Sequence, residues 1–294
     1  MRSGRRILVV GGESRIGAAL AAAHANNGDE VSITSRRRDL AAAAYLDLAK
    51  VPPRWAPPFG TDIAYVCAGI TSIQHCEQQS EFSTRVNVRG TLEVCRALAR
   101  ANVFIVFFST SLVFDGDRPG PTGATATSPR CLYGRQKASV EAALQEGGMP
   151  SAILRLTKVL TPSHPLLTAW TNTLSQGKTI AAFTDLRMAP ITLDTVVSAS
   201  LAVARRKAPG ITHLSAARDI SYFEAARHLA QCLGVDAALV QAASARQTLR
   251  SPGALQRHAD LAMASDDPFS FHIRDPLHVI EACLGAEAPS VLHT

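Results

Sequence analysis

Apolar and polar positions alternate in blocks along the first half of the chain. Residues 7–10 (ILVV) are a short apolar run, and residues 16–26 are an Ala-rich stretch with helical spacing that Asn27-Gly28 closes. A second strand is predicted at 31–34. Residues 40–46 read as helical, with a short strand around 45–48. A Pro-rich loop at 52–58 leads to a strand at 63–67 and then to one long amphipathic helix over 81–100. Residues 103–108 are apolar throughout, which suits a strand covered on both faces in the middle of a sheet. Residues 116–129, rich in Gly, Pro, Thr and Ser, read as a loop. A helix over 132–146 and a strand over 151–156 follow.

This spacing of strands and helices predicts an α/β fold: a Rossmann-like, doubly wound parallel sheet with right-handed crossovers. Beyond residue 156 the pattern loosens, with helices expected at 166–176, 195–206 and 222–233. Two parts are therefore expected: a dinucleotide-binding domain over 1–157 and a smaller α/β substrate-binding part over 158–294. The chain shows no internal repeat.

Composition narrows the classes. A hydrophobic fraction of 47% with 18% charged residues excludes a mainly disordered chain. No apolar run approaches the roughly 18 residues that span a bilayer. The basic start, Arg2 to Arg6, precedes an apolar run too short for an export signal, so a cytoplasmic location is expected. The net charge of +6 sits partly in Arg5-Arg6 and Arg36-Arg37-Arg38. With only 5% aromatics, nucleic-acid binding is not expected. The six cysteines form no C-x-x-C and the nine histidines are dispersed, so no metal site is expected.

Gly11-Gly12-Glu13-Ser14-Arg15-Ile16-Gly17 lies between a strand and a helix, where a dinucleotide loop belongs. Gly11 fits the turn and Gly17 the helix–strand contact. Ser14 stands where a middle glycine is usual; its hydroxyl is a candidate donor to a pyrophosphate, and Glu13 brings an unhelpful charge unless it points outward. At the end of the second strand, Thr34-Ser35-Arg36-Arg37 offers no carboxylate to ribose hydroxyls before Asp39. Guanidinium groups there suit the 2′-phosphate of NADP(H) in preference to NAD(H). Arg36 is the first candidate, with Arg15 and Arg37 as helpers; a solvated basic turn is the alternative.

Tyr133-Gly134-Arg135-Gln136-Lys137 places a phenol and an ammonium on one face of a helix. The ammonium is expected to lower the phenol pKa and so suit it to proton transfer. Ser109-Thr110-Ser111 ends the all-apolar strand at the sheet edge where such folds bind ligands, and a hydroxyl there can hold a substrate carbonyl.

These segments together resemble the extended short-chain dehydrogenase/reductase family. Within it they are most similar to the sugar-nucleotide 4-keto reductases typified by dTDP-4-dehydrorhamnose reductase. Ser109-Thr110-Ser111-Leu112-Val113-Phe114-Asp115-Gly116 resembles S-T-D-Y-V-F-D-G, and Val66-Cys67-Ala68-Gly69-Ile70-Thr71 with Cys76-Glu77 resembles N-C-A-A-Y-T with A-E. Val86-Asn87-Val88 matches the family's helix asparagine, and Asp185 to Pro190 resembles D-Q-x-x-x-P-T. The resemblance implies a catalytic set of Thr110, Tyr133 and Lys137, with Asn87 on the proton-relay side. It implies that Gly11, Gly12, Ser14, Arg15, Ile16, Gly17, Ser35, Arg36, Arg37, Asp47, Ala68 and Gly69 contact the cofactor, Asp47 near the adenine. Thr71, Ser111, Lys158 and Arg187 are left for the substrate.

Three departures stand out: Ser14 for glycine, Ser111 for aspartate, and Lys158 where the rhamnose enzymes carry a tryptophan. A lysine there cannot stack a deoxysugar but can reach a phosphate or carboxylate. The reading is an NADPH-dependent reductase of a keto group, on a small molecule of the nucleotide-sugar type. A sugar-nucleotide epimerase or dehydratase with bound NAD, and a non-catalytic regulatory subunit, are the alternatives. Helix-mediated homodimers are usual in this family; no residue here specifies one.

Overall fold

The computed structural model describes residues 4–40, 42–248, 256–263 and 274–285. The elements are β1 (Arg6–Val10), α1 (Arg15–Asn26), β2 (Glu30–Ser35), β3 (Ala44–Tyr45), β4 (Ile63–Val66), α2 (Ile73–Gln78), α3 (Ser80–Thr84), α4 (Thr91–Arg100), β5 (Phe104–Thr110), α5 (Leu132–Glu146) and β6 (Ser151–Leu156). They continue with β7 (Val159–Leu160), α6 (Pro165–Ser175), β8 (Ile180–Phe183), β9 (Arg187–Met188), β10 (Ile191–Thr192), α7 (Leu193–Arg206), β11 (Gly210–Leu214), β12 (Ile220–Ser221), α8 (Tyr222–Cys232), β13 (Val240–Ala243), α9 (Ala245–Thr248) and α10 (Pro276–Gly285).

Seven strands form one parallel sheet in the order β11-β6-β5-β4-β1-β2-β3. This is the α/β Rossmann-like fold that the strand–helix alternation predicts. The order reverses between β1 and β4, and ligands of such sheets bind in the crevice beyond the strand ends at that point. Every residue of β5 is buried, as its apolar run requires. One face of the sheet packs on α1 and α7 through Leu20, Val196, Ala199 and Val203. The other packs on α4 and α5 through Val94, Leu98, Val140 and Leu144. Burying each such side chain favours the fold by about 1.5–3 kcal/mol relative to exposure.

Two expectations need correction. The helix predicted over 40–46 does not form among its described residues. Ala44 and Tyr45 instead pair with Thr34 and Ser35 and extend the sheet. The Ala run is too short to nucleate a helix on its own, and pairing with β2 supplies backbone partners. The single helix predicted over 81–100 is α3 and α4 joined by a π-helical turn, Arg85–Gly90, and the separate α2 precedes it. The extra residue per turn rotates Asn87 onto the buried side.

Residues beyond 157 contribute to both layers. β11 completes the large sheet against β6, and α7 covers it. The rest forms three two-stranded pairings, β10-β7, β12-β9 and β13-β8. Around these, α6, α8 and α10 build a separate apolar cluster that includes Trp170, Leu174, Leu229 and Ile280. No helix among the described residues is long and apolar enough to cross a membrane.

Candidate active site

The turn after β1 is shaped by two glycines. Gly11 has φ of 85°, and a Cβ there would lie 2.7 Å from backbone atoms of Ala68. A Cβ on Gly17 would run into the Gly11 carbonyl oxygen, so the start of α1 seats closely against the loop only with glycine. Ser14 is the N-cap of α1. Its hydroxyl accepts from Gly17 N at 3.0 Å and donates to Gly11 O at 2.9 Å. That hydroxyl is thus engaged within the loop; an uncapped helix start would leave N–H groups unpaired. The Thr34 hydroxyl, not singled out from sequence, accepts from Gly11 N at 3.2 Å.

A cavity of about 520 Å³ opens at this strand edge. Gly11, Glu13, Ser14, Ser35, Arg36, Asp47, Ala68, Gly69 and Thr71 line it, and so does Phe82, an exposed aromatic that sequence reasoning passed over. Asp47 uses one carboxylate oxygen to accept from Ala49 N at 2.9 Å and still faces the cavity. Gly12 lies behind the loop against Ile33, and Ile16 packs on the core.

The three arginines separate. Arg36 lines the cavity and forms no ion pair with a described residue. Arg37 is held 2.7 Å from Asp39 and 3.6 Å from Glu13. Arg15 turns to the opposite side, donates to Ser163 O at 3.4 Å and lines a different cavity. Neither expected helper stands beside Arg36 in the cavity wall: carboxylates engage one, and the helix start points the other away. Glu13 accepts from the Ser35 hydroxyl at the cavity rim, so its charge is turned toward β2 and Arg37.

At the carboxyl end of β5, the Thr110 hydroxyl accepts from Leu112 N at 3.2 Å. Tyr133 and Lys137 lie one turn apart on the buried face of α5, and each is 8% exposed. Lys137 Nζ donates to Phe108 O at 2.7 Å and lies 5.9 Å from the Tyr133 ring centre. Burial brings the Lys137 pKa down to about 8. Burial also pushes the Tyr133 phenol above its ordinary value. The expected lowering by the ammonium does not emerge: desolvation, with Cys76 and Cys131 nearby, raises the phenol, which stays protonated at neutral pH. Tyr133 shares an apolar cluster with Cys76 and Cys131, against which Ile70 of the first cavity wall and Ile73 and Leu112 of a second pack; the described lining of neither cavity includes Tyr133 itself.

Asn87 makes no hydrogen bond to Tyr133 or Lys137. Its Oδ1 accepts from Ile70 N at 2.7 Å, and its Nδ2 donates to Ile70 O at 2.9 Å and to Gln136 Oε1 at 2.7 Å. It fastens the loop after β4 to α5. Both Nδ2 protons are engaged by these partners, so Asn87 holds the loop and the helix in register here.

The second cavity, about 390 Å³, is lined by Thr71, Thr110, Ser111, Lys158 and Arg187, with Tyr222 and Gln256 as walls that sequence reasoning missed. Thr71 belongs to both cavities. Arg187 is not free: its Nε donates to Asp219 Oδ1 at 2.7 Å. Gln256 Nε2 donates to Ser111 O at 3.3 Å and Phe114 O at 3.2 Å, fixing that wall. Away from these cavities, folding gathers two sets of metal-ligand residue types that are scattered in sequence: His228, Cys232 and Glu281, and Asp219, His258 and Asp260.

Residues 5–266 match the family described as the RmlD substrate binding domain. The chain belongs to that family. It is 25% identical over 214 residues to the probable low-salt glycan biosynthesis reductase Agl14 of Haloferax volcanii, covering 70% of this chain and 71% of that one. It is 28% identical over 183 residues to dTDP-4-dehydrorhamnose reductase of Mycobacterium tuberculosis, covering 60% and 54% respectively, little more than half of that relative's length. The fold is similar to a crystal structure of dTDP-4-dehydrorhamnose reductase from Bacillus anthracis in complex with NADP. The TM-score is 0.81 at 16% identity, over 96% of this chain and 99% of that one. The RmlD family match spans both the large sheet and most of the smaller part.

Proposed function

We propose that this chain is an NADPH-dependent reductase of a keto group on a nucleotide-linked sugar, working in the cytoplasm. In this reading residues 1–157 chiefly hold the cofactor and 158–294 chiefly select the substrate. The observation that carries it is the meeting of two cavities at Thr71, with Thr110 on one wall and Tyr133 in an apolar cluster against which residues of both pack. The names of the RmlD-family relatives support the same chemistry.

The first cavity fits a dinucleotide. Gly11 leaves open backbone where a Cβ would collide with Ala68, α1 presents its N-terminus, and Arg36 in the wall has no counter-ion among the described residues. Bound there, a reduced nicotinamide supplies hydride to a carbonyl carbon. Tyr133, held protonated by burial, gives its proton to the carbonyl oxygen. The Thr110 hydroxyl orients that oxygen. Lys137 holds the nicotinamide ribose and supplies positive charge as the phenolate forms. Asn87 fixes the loop that carries Ile70 and Thr71. Arg36 meets the 2′-phosphate.

Fluorescence titration with NADPH and NADH tests this reading. We expect tighter binding of NADPH, with Arg36→Ala removing about tenfold or more of the NADPH affinity and little of that for NADH. Equal affinities refute the 2′-phosphate assignment. NAD retained through purification would point to an epimerase or dehydratase, and failure to bind either nucleotide to a regulatory subunit.

A further inference from the structure

The second cavity carries an unbalanced charge. Among the described residues its lining contains two cations, Lys158 and Arg187, and no carboxylate. Asp219 answers Arg187: Nε donates to its Oδ1 at 2.7 Å and Nη2 to its main-chain oxygen at 3.0 Å, and its side chain is only 10% exposed. Lys158 has no such partner among the described residues. Its ammonium lies 5.5 Å from the Tyr222 ring centre, a contact that orients the group without neutralising it.

The backbone at Lys158 is well fixed. Its carbonyl accepts from Ile191 N at 2.9 Å, and it follows Thr157 at the end of β6. Leu156 pairs directly with Thr110, so Lys158 emerges two residues beyond the pair that holds the reactive edge. Lys158 and Thr110 line the same cavity. His164, near the same ammonium, is kept neutral: burial first, then Lys158 and Arg15, bring it down to about 4.

We infer that the sugar of the substrate carries a carboxylate, which Lys158 binds, and that this charge selects it. The inference rests on the keto-sugar reading above. It excludes a sugar whose groups in this cavity are all neutral. No covalent step involves Lys158.

The test is calorimetric binding to the full chain loaded with NADPH, using UDP- and dTDP-linked glucose and glucuronate, and UDP itself. Lys158→Met keeps the stem and removes the charge; Lys158→Arg keeps the charge. NADPH affinity serves as the folding control. We expect Lys158→Met to weaken glucuronate-nucleotide binding roughly ten- to a hundredfold, and Lys158→Arg to restore most of it. A loss confined to the glucuronates assigns the charge to a sugar carboxylate; an equal loss for the glucose compounds and UDP places Lys158 on the diphosphate and overturns the inference. Affinities within twofold of wild type for every ligand in Lys158→Met overturn the inference while leaving the keto-sugar reading intact. Failure of the wild type to bind any nucleotide sugar overturns both.

Discussion

Replacing Glu141 by leucine strands a guanidinium in the core. Arg155 and Glu141 have side chains 3% and 2% exposed and meet through Nε at 3.2 and 3.1 Å and Nη2 at 2.7 Å. Arg155 also faces His213 at 3.4 Å and stacks 4.9 Å from the Phe114 ring centre. Water does not reach the pair to replace a lost partner. Removing one member of a buried pair costs about 3–5 kcal/mol, whereas exchanging both for apolar groups of similar volume is often neutral. We expect Glu141→Leu and Arg155→Met each to lose about that much, and the double variant to lose much less than their sum. Urea unfolding in a double-mutant cycle reads this directly. Glu141 lies one helical turn beyond Lys137 on α5, so turnover should fall in the single variants and recover in the double. Losses that add to within about 0.5 kcal/mol would show that the two charges do not depend on each other, and the argument would fail.

Other consequences can be checked independently. Tyr133→Phe should lower turnover by about 10²–10⁴-fold with NADPH affinity retained, because it removes the proton donor and little volume; unchanged turnover with the cognate substrate rules out the assigned acid. Lys137 has a pKa brought down to about 8, so kcat/KM for carbonyl reduction should decline as pH rises through about 8 and the ammonium is lost. A pH profile flat to pH 10 contradicts its charged role. His213, 5% exposed, is held down to about 4 by burial against an unfolded value of 6.5. The unfolded chain binds the proton first as pH falls, so stability present above pH 6.5 is lost progressively toward pH 4, by about 3 kcal/mol. Denaturant unfolding at several pH values should show this slope in wild type and a shallower one in His213→Gln.

The sequence by itself determined five of the seven strands of the large sheet and their order along the chain. Alternating short apolar runs and helical stretches place β1, β2, β4, β5 and β6 within one or two residues of where they lie. The bounds of α5 and β6 are the same in both. Those signals are local: side-chain periodicity and turn residues act within a few residues of chain. The glycine turn, Arg36, and the Tyr133–Lys137 spacing are local in the same sense.

Tertiary structure decided everything that depends on which surfaces meet. Ala44 and Tyr45 are strand because β2 offers an open edge, against the helix preference of an alanine run. The π-helical turn that buries Asn87 answers to Ile70 and Gln136, 17 and 49 residues distant. Arg15, Arg36 and Arg37 look alike in sequence; Ser163, Glu13 and Asp39 engage two of them and leave Arg36 without an ion pair among the described residues. Arg187 and Lys158 are likewise separated only by Asp219. The pKa of Tyr133 reverses the expectation from its spacing to Lys137, because desolvation depends on how deeply α5 is covered. Burial, counter-ions and edge pairing are properties of packed surfaces, and no window of sequence contains them.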